Sequence, residues 1–134
     1  MAITYSTAIA NARLDVVEST IGASAIMKIR TGAPPATVAS ASTGTVLATL
    51  NLPSDWMAAA SARSKAKSGA WTDASADATG TAGHFEITAS DGTTVGMRGT
   101  VSASGGGGDM IVSTTTFNSG ETFTVNTFTI NAGN

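Results

Sequence analysis

Apolar residues near the start of the chain recur at the spacing of an α-helix. The residues that share this face are Ala10, Leu14, Val17 and Ile21, with Ile9 and Val16 widening it. Ser6 precedes the pattern as a candidate N-cap, and Gly22 follows it as a candidate C′ residue. The spacing therefore predicts an amphipathic helix over residues 6–21, whose apolar face must dock on a sheet or on a neighbouring molecule.

Shorter apolar runs further along the chain favour β-strands. Residues 25–30 and 45–52 are rich in branched side chains, and Pro34-Pro35 and Pro53 follow them and prevent continued pairing. We predict a strand in each of these two segments.

The segment between residues 53 and 81 has the least regular pattern. A short capped helix over residues 54–60 fits its start, and a strand over residues 66–71 fits its middle. The remainder is Ala, Ser, Lys and Asp with two glycines, which predicts no regular element.

A β-hairpin is the clearest prediction in the second half of the chain. Residues 83–88 and 94–101 flank the sequence Ser90-Asp91-Gly92-Thr93, and Asp-Gly is a strong hairpin turn signal. Apolar residues alternate in both segments, as at Phe85 and Ile87, so each strand is expected to have a buried face and a polar face.

The C-terminal part predicts two more strands after a glycine run. Residues 109–116 follow the run Gly105–Gly108, and residues 121–131 follow a turn at Asn118-Ser119-Gly120. Apolar positions change parity within the last strand, which predicts a bulge or bend at Asn126-Thr127. The predicted core residues are Met110, Ile111 or Val112, Phe123, Val125, Phe128 and Ile130.

Together these elements predict one mainly β domain over residues 1–134. The helix occupies residues 6–21, and residues 23–134 form an antiparallel β-sandwich or jelly-roll-like fold. An open α+β sheet with the helix on one face is the alternative architecture. A chain of this length can bury a core large enough to fold alone.

Composition narrows the range of partners. Charged residues make up 12% of the chain and the net charge is −2, which disfavours nucleic acid and anionic membranes as partners. The absence of cysteine excludes disulfides and thiolate metal sites. There is neither a signal-peptide pattern nor a run of roughly 20 apolar residues, so synthesis in the cytoplasm is expected. Small neutral side chains dominate instead, which favours an assembly component.

The candidate acid–base residues do not form a recognisable catalytic motif. His84 is the only histidine, and the interpretation we favour is a partly exposed residue at a strand end. Possible acid pairs have no spacing that demands hydrolysis or calcium binding, and we interpret them as solvated turn residues. These acids are Asp73, Asp77 and Glu86, or Asp91 and Asp109. We therefore expect no enzymatic activity, no cofactor and no metal.

Three other features have a structural interpretation beside a functional one. Gly105–Gly108 lacks the P-loop lysine and is interpreted as a loop that needs positive φ. The only basic cluster is interpreted as a solvated face, with an acidic partner as the alternative; its members are Arg63, Lys65 and Lys67. Trp56 and Trp71 are either core residues or interface anchors. The candidate interface residues are Ile9, Leu14, Val17, Ile21, Trp56 and Trp71.

The chain resembles a group of small structural proteins encoded by tailed bacteriophages and prophages. The matching segments are Ala8 to Leu14, Lys28 to Pro35, Leu47 to Trp56, Gly80 to Phe85, Gly107 to Met110 and Phe128 to Ile130. This resemblance implies a role in the virion or its assembly, and it brings no site residues with it.

The resemblance and the composition lead to one expected function and two alternatives. The expected function is a capsid decoration or cement protein that binds the outer shell, forms homo-oligomers and contacts other virion proteins. A tail, collar or fibre-attachment component is the first alternative. A hydrolase or carbohydrate-binding module is the second, from a different class.

Overall fold

The computed structural model describes residues 3–132, which form one α-helix and ten β-strands. The helix is α1 (Thr7–Ile21). The strands are β1 (Ile26–Thr31), β2 (Val46–Asn51), β3 (Ser64–Ala66), β4 (Thr72–Asp73), β5 (Gly80–Thr88), β6 (Val95–Ala103), β7 (Met110–Val112), β8 (Thr116–Phe117), β9 (Phe123–Thr124) and β10 (Thr129–Asn131). The predicted fold class, a mainly β domain with a single N-terminal helix, is confirmed.

One main sheet organises the domain. Its strand order is β2-β1-β5-β6-β7, and β8 pairs with the start of β5. These pairs are antiparallel except for β6 and β7, which run parallel. Two small antiparallel pairs, β3 with β10 and β4 with β9, complete the strands.

The predicted hairpin joins β5 to β6 through the Asp-Gly turn. The Asp91 carboxylate accepts hydrogen bonds from the backbone N–H groups of Thr93 and Thr94, both at 2.9 Å, and from the Thr94 hydroxyl at 2.5 Å. Gly92 has φ +74°, a conformation that most other residues adopt only with strain. The hydrogen bonds from Thr94 and Thr93 lower the pKa of Asp91 to about 2.

A row of aromatic rings runs through the core. Trp56 and Trp71 lie 6.0 Å apart between ring centroids, Phe128 lies 5.6 Å from Trp71, and Phe85 lies 5.5 Å from Phe128. Both tryptophans are fully buried. Their indole N–H groups donate to the carbonyls of Gly22 and Ser68, at 3.0 and 3.1 Å, so both polar atoms are satisfied inside the domain. The core interpretation of these two residues is confirmed.

The C-terminal core prediction holds for most of its residues. The buried residues are Met110, Val112, Phe123, Val125 and Phe128. Ile130 is partly buried. Ile111 is exposed because its side chain points to the opposite side of β7 from its two neighbours. The predicted last strand is interrupted at Asn126-Thr127, where the change of parity predicts a bulge or bend: β9 ends before this point, β10 begins after it, and the two strands pair with different partners.

The predicted helix over residues 54–60 is wrong. Backbone groups in this segment bond across to residues 64–68 rather than along a helix: Ala58 N–H donates to Ala66 O, and Ser68 N–H donates to Trp56 O. The turn that makes this pairing possible passes through Ala62 and Arg63, both with positive φ. The predicted strand over residues 66–71 is correspondingly displaced, to β3 and β4 on either side.

Candidate interaction surface

Helix α1 begins and ends where the sequence predicts. The Ser6 hydroxyl accepts a hydrogen bond from Ile9 N–H at 3.3 Å, and Gly22 N–H donates to Glu18 O at 2.8 Å. Both termini of the helix are therefore capped from within the chain. The caps fix where α1 begins and ends.

Only a narrow part of the predicted apolar stripe is buried. Ala10 and Leu14 pack into the domain, whereas Ile9 is 49% exposed and Val16 is 57% exposed. Val17 and Ile21 are intermediate. The helix therefore keeps part of its apolar surface uncovered.

Polar contacts hold the inner side of α1 against residues 57–65. The side chains of Asn11, Asp15 and Glu18 accept hydrogen bonds from the backbone N–H groups of Arg63, Ala60 and Met57, each at 2.9 Å. Since three side chains of one helix satisfy three separate backbone donors, these bonds fix the position of α1 without a wide apolar contact.

Lys65 strengthens this attachment from inside the domain. Its side chain is 3% exposed, and its ammonium group lies 2.8 Å from Asp15 and 3.0 Å from Glu18. Burial opposes the charge on Lys65, but the hydrogen bonds to the two carboxylates outweigh it and raise the pKa of the lysine. The hydrogen bond from Lys65 also lowers the pKa of Asp15. Lys65 is thus no part of a solvated basic face, and that interpretation is wrong for this member of the cluster, whereas Arg63 and Lys67 are partly exposed.

A groove of about 400 Å³ separates the second half of α1 from the β5–β6 hairpin. Its lining is mostly apolar or small: Val16, Val17, Thr20, Ile21, Ala89, Thr94, Val95 and Gly96. Ile21 contacts the backbone at Gly96 so closely that a Cβ there would collide with it. We call Ile9 together with these groove residues the helix surface.

Three of the six candidate interface residues belong to the helix surface. Ile9, Val17 and Ile21 lie there with at least part of the side chain accessible. The other three are buried in the domain's own core and have almost no surface to offer a partner: Leu14, Trp56 and Trp71. Their proposed interface role is therefore corrected.

A buried charged network joins β1, β5 and β6 of the main sheet. Glu86 is almost fully buried between two arginines, with Arg30 Nε at 2.8 Å and Arg98 Nε at 3.2 Å. The Ser42 hydroxyl donates to the same carboxylate at 2.8 Å. Burial tends to raise the pKa of Glu86, but the hydrogen bonds from Ser42, Arg30 and Arg98 lower it.

This network fastens residues 32–44 over the sheet. The Arg98 guanidinium donates to the carbonyls of Thr37, Val38 and Ser40 at 2.9–3.0 Å. We call residues 32–44 the covering loop. Because it lies over the polar side of β5, that strand is buried on both faces from His84 to Thr88, and the predicted polar face of this segment is not exposed.

His84 lies in the same covered region. It is fully buried, and its Nδ1 lies 2.9 Å from the carbonyl of Gly32 in the covering loop. Its Nε2 has no hydrogen-bond partner among the described residues. The interpretation as a partly exposed strand-end residue is therefore wrong, since the loop closes over the strand at this point.

The remaining acids stabilise local structure. Asp73 and Asp77 both accept hydrogen bonds from Thr49, from its N–H at 2.9 Å and its hydroxyl at 2.7 Å. Asp109 accepts from Thr100 N–H at 2.9 Å. In residues 3–132, no group of three or more His, Asp or Glu side chains is arranged to hold a metal ion.

The glycine run has the backbone role that the sequence predicts. Gly105 and Gly107 have φ +85° and +75°, in the left-handed region that favours glycine. The run connects β6 to the parallel strand β7.

Every lysine and arginine has a partner within the chain. Besides the network around Glu86 and the Lys65 pairs, Lys28 donates to Gly92 O at 2.8 Å and Lys67 to Gly69 O at 2.7 Å. Arg63 donates to the carbonyl of Tyr5, and Arg13 lies over the Tyr5 ring. The cations thus serve contacts within the chain, whereas several acids, among them Asp55, Asp91 and Glu121, lie at the surface.

Sequence patterns missed the network around Glu86, although one signal for it exists. Charged residues stand at alternating positions inside predicted strands, as Lys28 and Arg30 do, and Glu86 and Arg98 follow in later strands. In a chain with so few charges, this placement indicates a paired, covered sheet face.

Comparison with known proteins finds no matching family model, no matching curated protein and no matching solved structure. Within residues 3–132, no helix has the length and apolar character needed to cross a membrane.

Proposed function

We propose that this chain is a non-enzymatic structural protein of a tailed-phage virion, and that it decorates the outer shell of the capsid. The observation that carries this proposal is the helix surface, an uncovered apolar face on a domain whose cations are all bound internally. The resemblance to phage and prophage structural proteins supplies the virion context.

The physical basis of the proposal is an interface that needs no charge pairing. Exposed apolar groups such as Ile9 and Val16 gain roughly 25 cal/mol for each Å² removed from water. The neighbouring Thr20, Ala89 and Gly96 are small and lose little side-chain entropy when covered. A decoration protein repeats such a weak contact at many symmetry-related positions, so the shell gains stability through multivalency.

Self-association belongs to the same proposal. A homo-oligomer would cover the helix surface of each copy or bring several copies to one shell position. The partners are therefore other copies of this chain and the larger virion proteins.

Locating the chain on purified particles of the encoding phage tests this function. Electron microscopy with an antibody or tag and quantitative peptide counting should give hundreds of copies spread over the shell. Particles from a deletion strain are the control. A ring of few copies would instead place the chain in the tail or connector, and its absence from particles would contradict any virion role.

A further inference from the structure

Two strand edges lie open beside each other in this domain. In β6, the pairing with β7 covers only Val101 to Ala103, and among the described strands the first half of β6 pairs with β5 alone. In β10, the only partner among the described strands is β3. A strand edge without a neighbour presents unpaired N–H and C=O groups.

Hydrogen bonds show which groups of β6 point away from β5. Thr100 N–H donates to the Asp109 carboxylate rather than to β5. The pairing register is continuous from Arg98 to Thr100. Since N–H and C=O groups two residues apart point to the same side of a strand, those of Arg98 also point to the open edge.

The same reasoning orients β10. The carbonyl of Phe128 accepts from Lys67 N–H, and Ala132 N–H donates to Arg63 O, so both face the β3 side. Thr129 and Asn131 alternate with these residues. Their backbone groups therefore point away from β3.

A groove of about 440 Å³ is lined by both edges. Met97, Arg98 and Asp109 line it from β6 and the following segment, and residues 128–131 line it from β10. Phe85 also belongs to the lining and is buried against Phe128. The groove thus combines an aromatic base with backbone donors and acceptors, which are the groups that recognise an extended peptide strand.

We propose that this groove accepts the N-terminal arm, Ile3–Tyr5, of a second copy of the chain by strand addition. The inference deepens the proposed assembly role and rests on it. It identifies a second contact surface, separate from the helix surface, and names the partner.

The arm has the properties that such an occupant needs. It carries no regular secondary structure, and its apolar residues alternate, with Thr4 between Ile3 and Tyr5. Tyr5 is held within its own chain, since its carbonyl accepts from Arg63 and its ring lies under Arg13, so insertion into a second copy exchanges these contacts for those of the groove. Ile3 is 73% exposed, more than any other large apolar residue described.

The absence of charge on the arm is compatible with the groove. Ile3, Thr4 and Tyr5 are uncharged, and the two charged side chains of the groove are already bound: Arg98 to Glu86 and Asp109 to Thr100. A neutral strand can therefore enter without leaving a charge unpaired.

Cysteine cross-linking tests this contact directly, because the chain has no cysteine of its own. The Ile3→Cys protein is mixed with the Thr129→Cys protein under mild oxidation, and the mixed disulfide is quantified. We expect a yield at least about tenfold above that from mixing Ile3→Cys with Ala39→Cys, whose thiol lies in the covering loop. Equal yields would overturn the proposal. An intrachain disulfide that still forms when the Ile3→Cys, Thr129→Cys double variant is diluted would also overturn the proposal.

Blocking the edge supplies a second test. Adding Asn131→Pro to the Thr129→Cys partner removes a donor that points to the groove and should reduce cross-linking to the control level, whereas Asn131→Ala should not. If the proline variant does not fold, amide exchange of Arg98 and Asn131 in the wild type replaces it. The protection of these two amides should rise with protein concentration. Exchange rates that do not depend on protein concentration would contradict the proposed arm contact.

Both tests use the isolated protein, so they separate this inference from the proposed function. A chain found on particles that gives no specific cross-link would refute the arm contact alone.

Discussion

Arg98 and Glu86 lie opposite each other on neighbouring strands, with Nε and Oε2 3.2 Å apart and both side chains almost fully buried. Arg30 contacts the other carboxylate oxygen from the strand on the far side. One carboxylate therefore links three strands, and through Arg98 it also holds the covering loop. In a chain with so few charges, this network is the main polar determinant of the fold.

Replacing Glu86 by Gln should destabilise the protein by about 3–5 kcal/mol, because two buried guanidinium groups lose their counter-charge. Urea unfolding followed by tryptophan fluorescence measures the change, since Trp56 and Trp71 lie in the core. Amide exchange in residues 32–44 should increase as well. Glu121→Gln is the matched control: among the described residues the carboxylate of that exposed acid bonds only to Asn118, and a change within about 0.5 kcal/mol is expected. Equal effects of the two substitutions would contradict the role of the network.

The lowered pKa of Glu86 also predicts how the free energy of unfolding depends on pH. Its pKa in the folded protein is lowered below the usual value of 4.5, so its contribution is complete above that value and is lost as pH falls through the folded pKa. Asp15 and Asp91 also have lowered pKa values, and they remain in both proteins. Between about pH 5 and pH 3, the free energy of unfolding should therefore fall more steeply for the wild type than for Glu86→Gln. Parallel curves would refute this assignment.

Substitution of Phe128 tests the packing of the aromatic rings in the core. Truncation to Ala removes its ring contacts with Trp71 and Phe85 and should cost about 3–5 kcal/mol, enough to unfold a marginal domain. Ile111→Ala, at an exposed position of β7, should change stability by no more than about 0.5 kcal/mol. An unchanged melting temperature for Phe128→Ala would contradict the packing of this ring in the core.

Local patterns were sufficient for the elements whose signals lie close together in the sequence. The Ser6 cap and Gly22 define α1, the Asp91-Gly92 pair defines the hairpin, and the parity change near Asn126 marks the break between β9 and β10. In each case the deciding contacts join residues a few positions apart, or follow from the periodicity of one segment.

Patterns failed where distant segments determine the structure. Residues 54–60 have helical propensity, but the backbone of Ala58 pairs with Ala66 because Trp56 and Met57 are buried in the core. The alternation in β5 correctly places Phe85 in the core. It cannot show that the covering loop buries His84 and Glu86 on the other face, since those contacts span 44 or more positions.

The helix illustrates both outcomes. Its bounds follow from the sequence, but the side that it buries does not. Asp15 and Glu18 bind residues 57–65, and this leaves Ile9 and Val16 in solvent. The burial of a helix face is thus set by polar contacts that no local pattern contains.

Binding of purified protein to capsids that lack it tests the central claim most directly. Co-sedimentation should compare the wild type, Val16→Asp on the helix surface and Val38→Asp on the covering loop, since both valines are exposed and receive the same charge. We predict that the wild type and Val38→Asp bind alike. Val16→Asp should bind at least about tenfold more weakly, a difference of about 1.4 kcal/mol, while its melting temperature stays unchanged. Equal binding of the two variants, or no binding of the wild type, would contradict an assembly role for the helix surface.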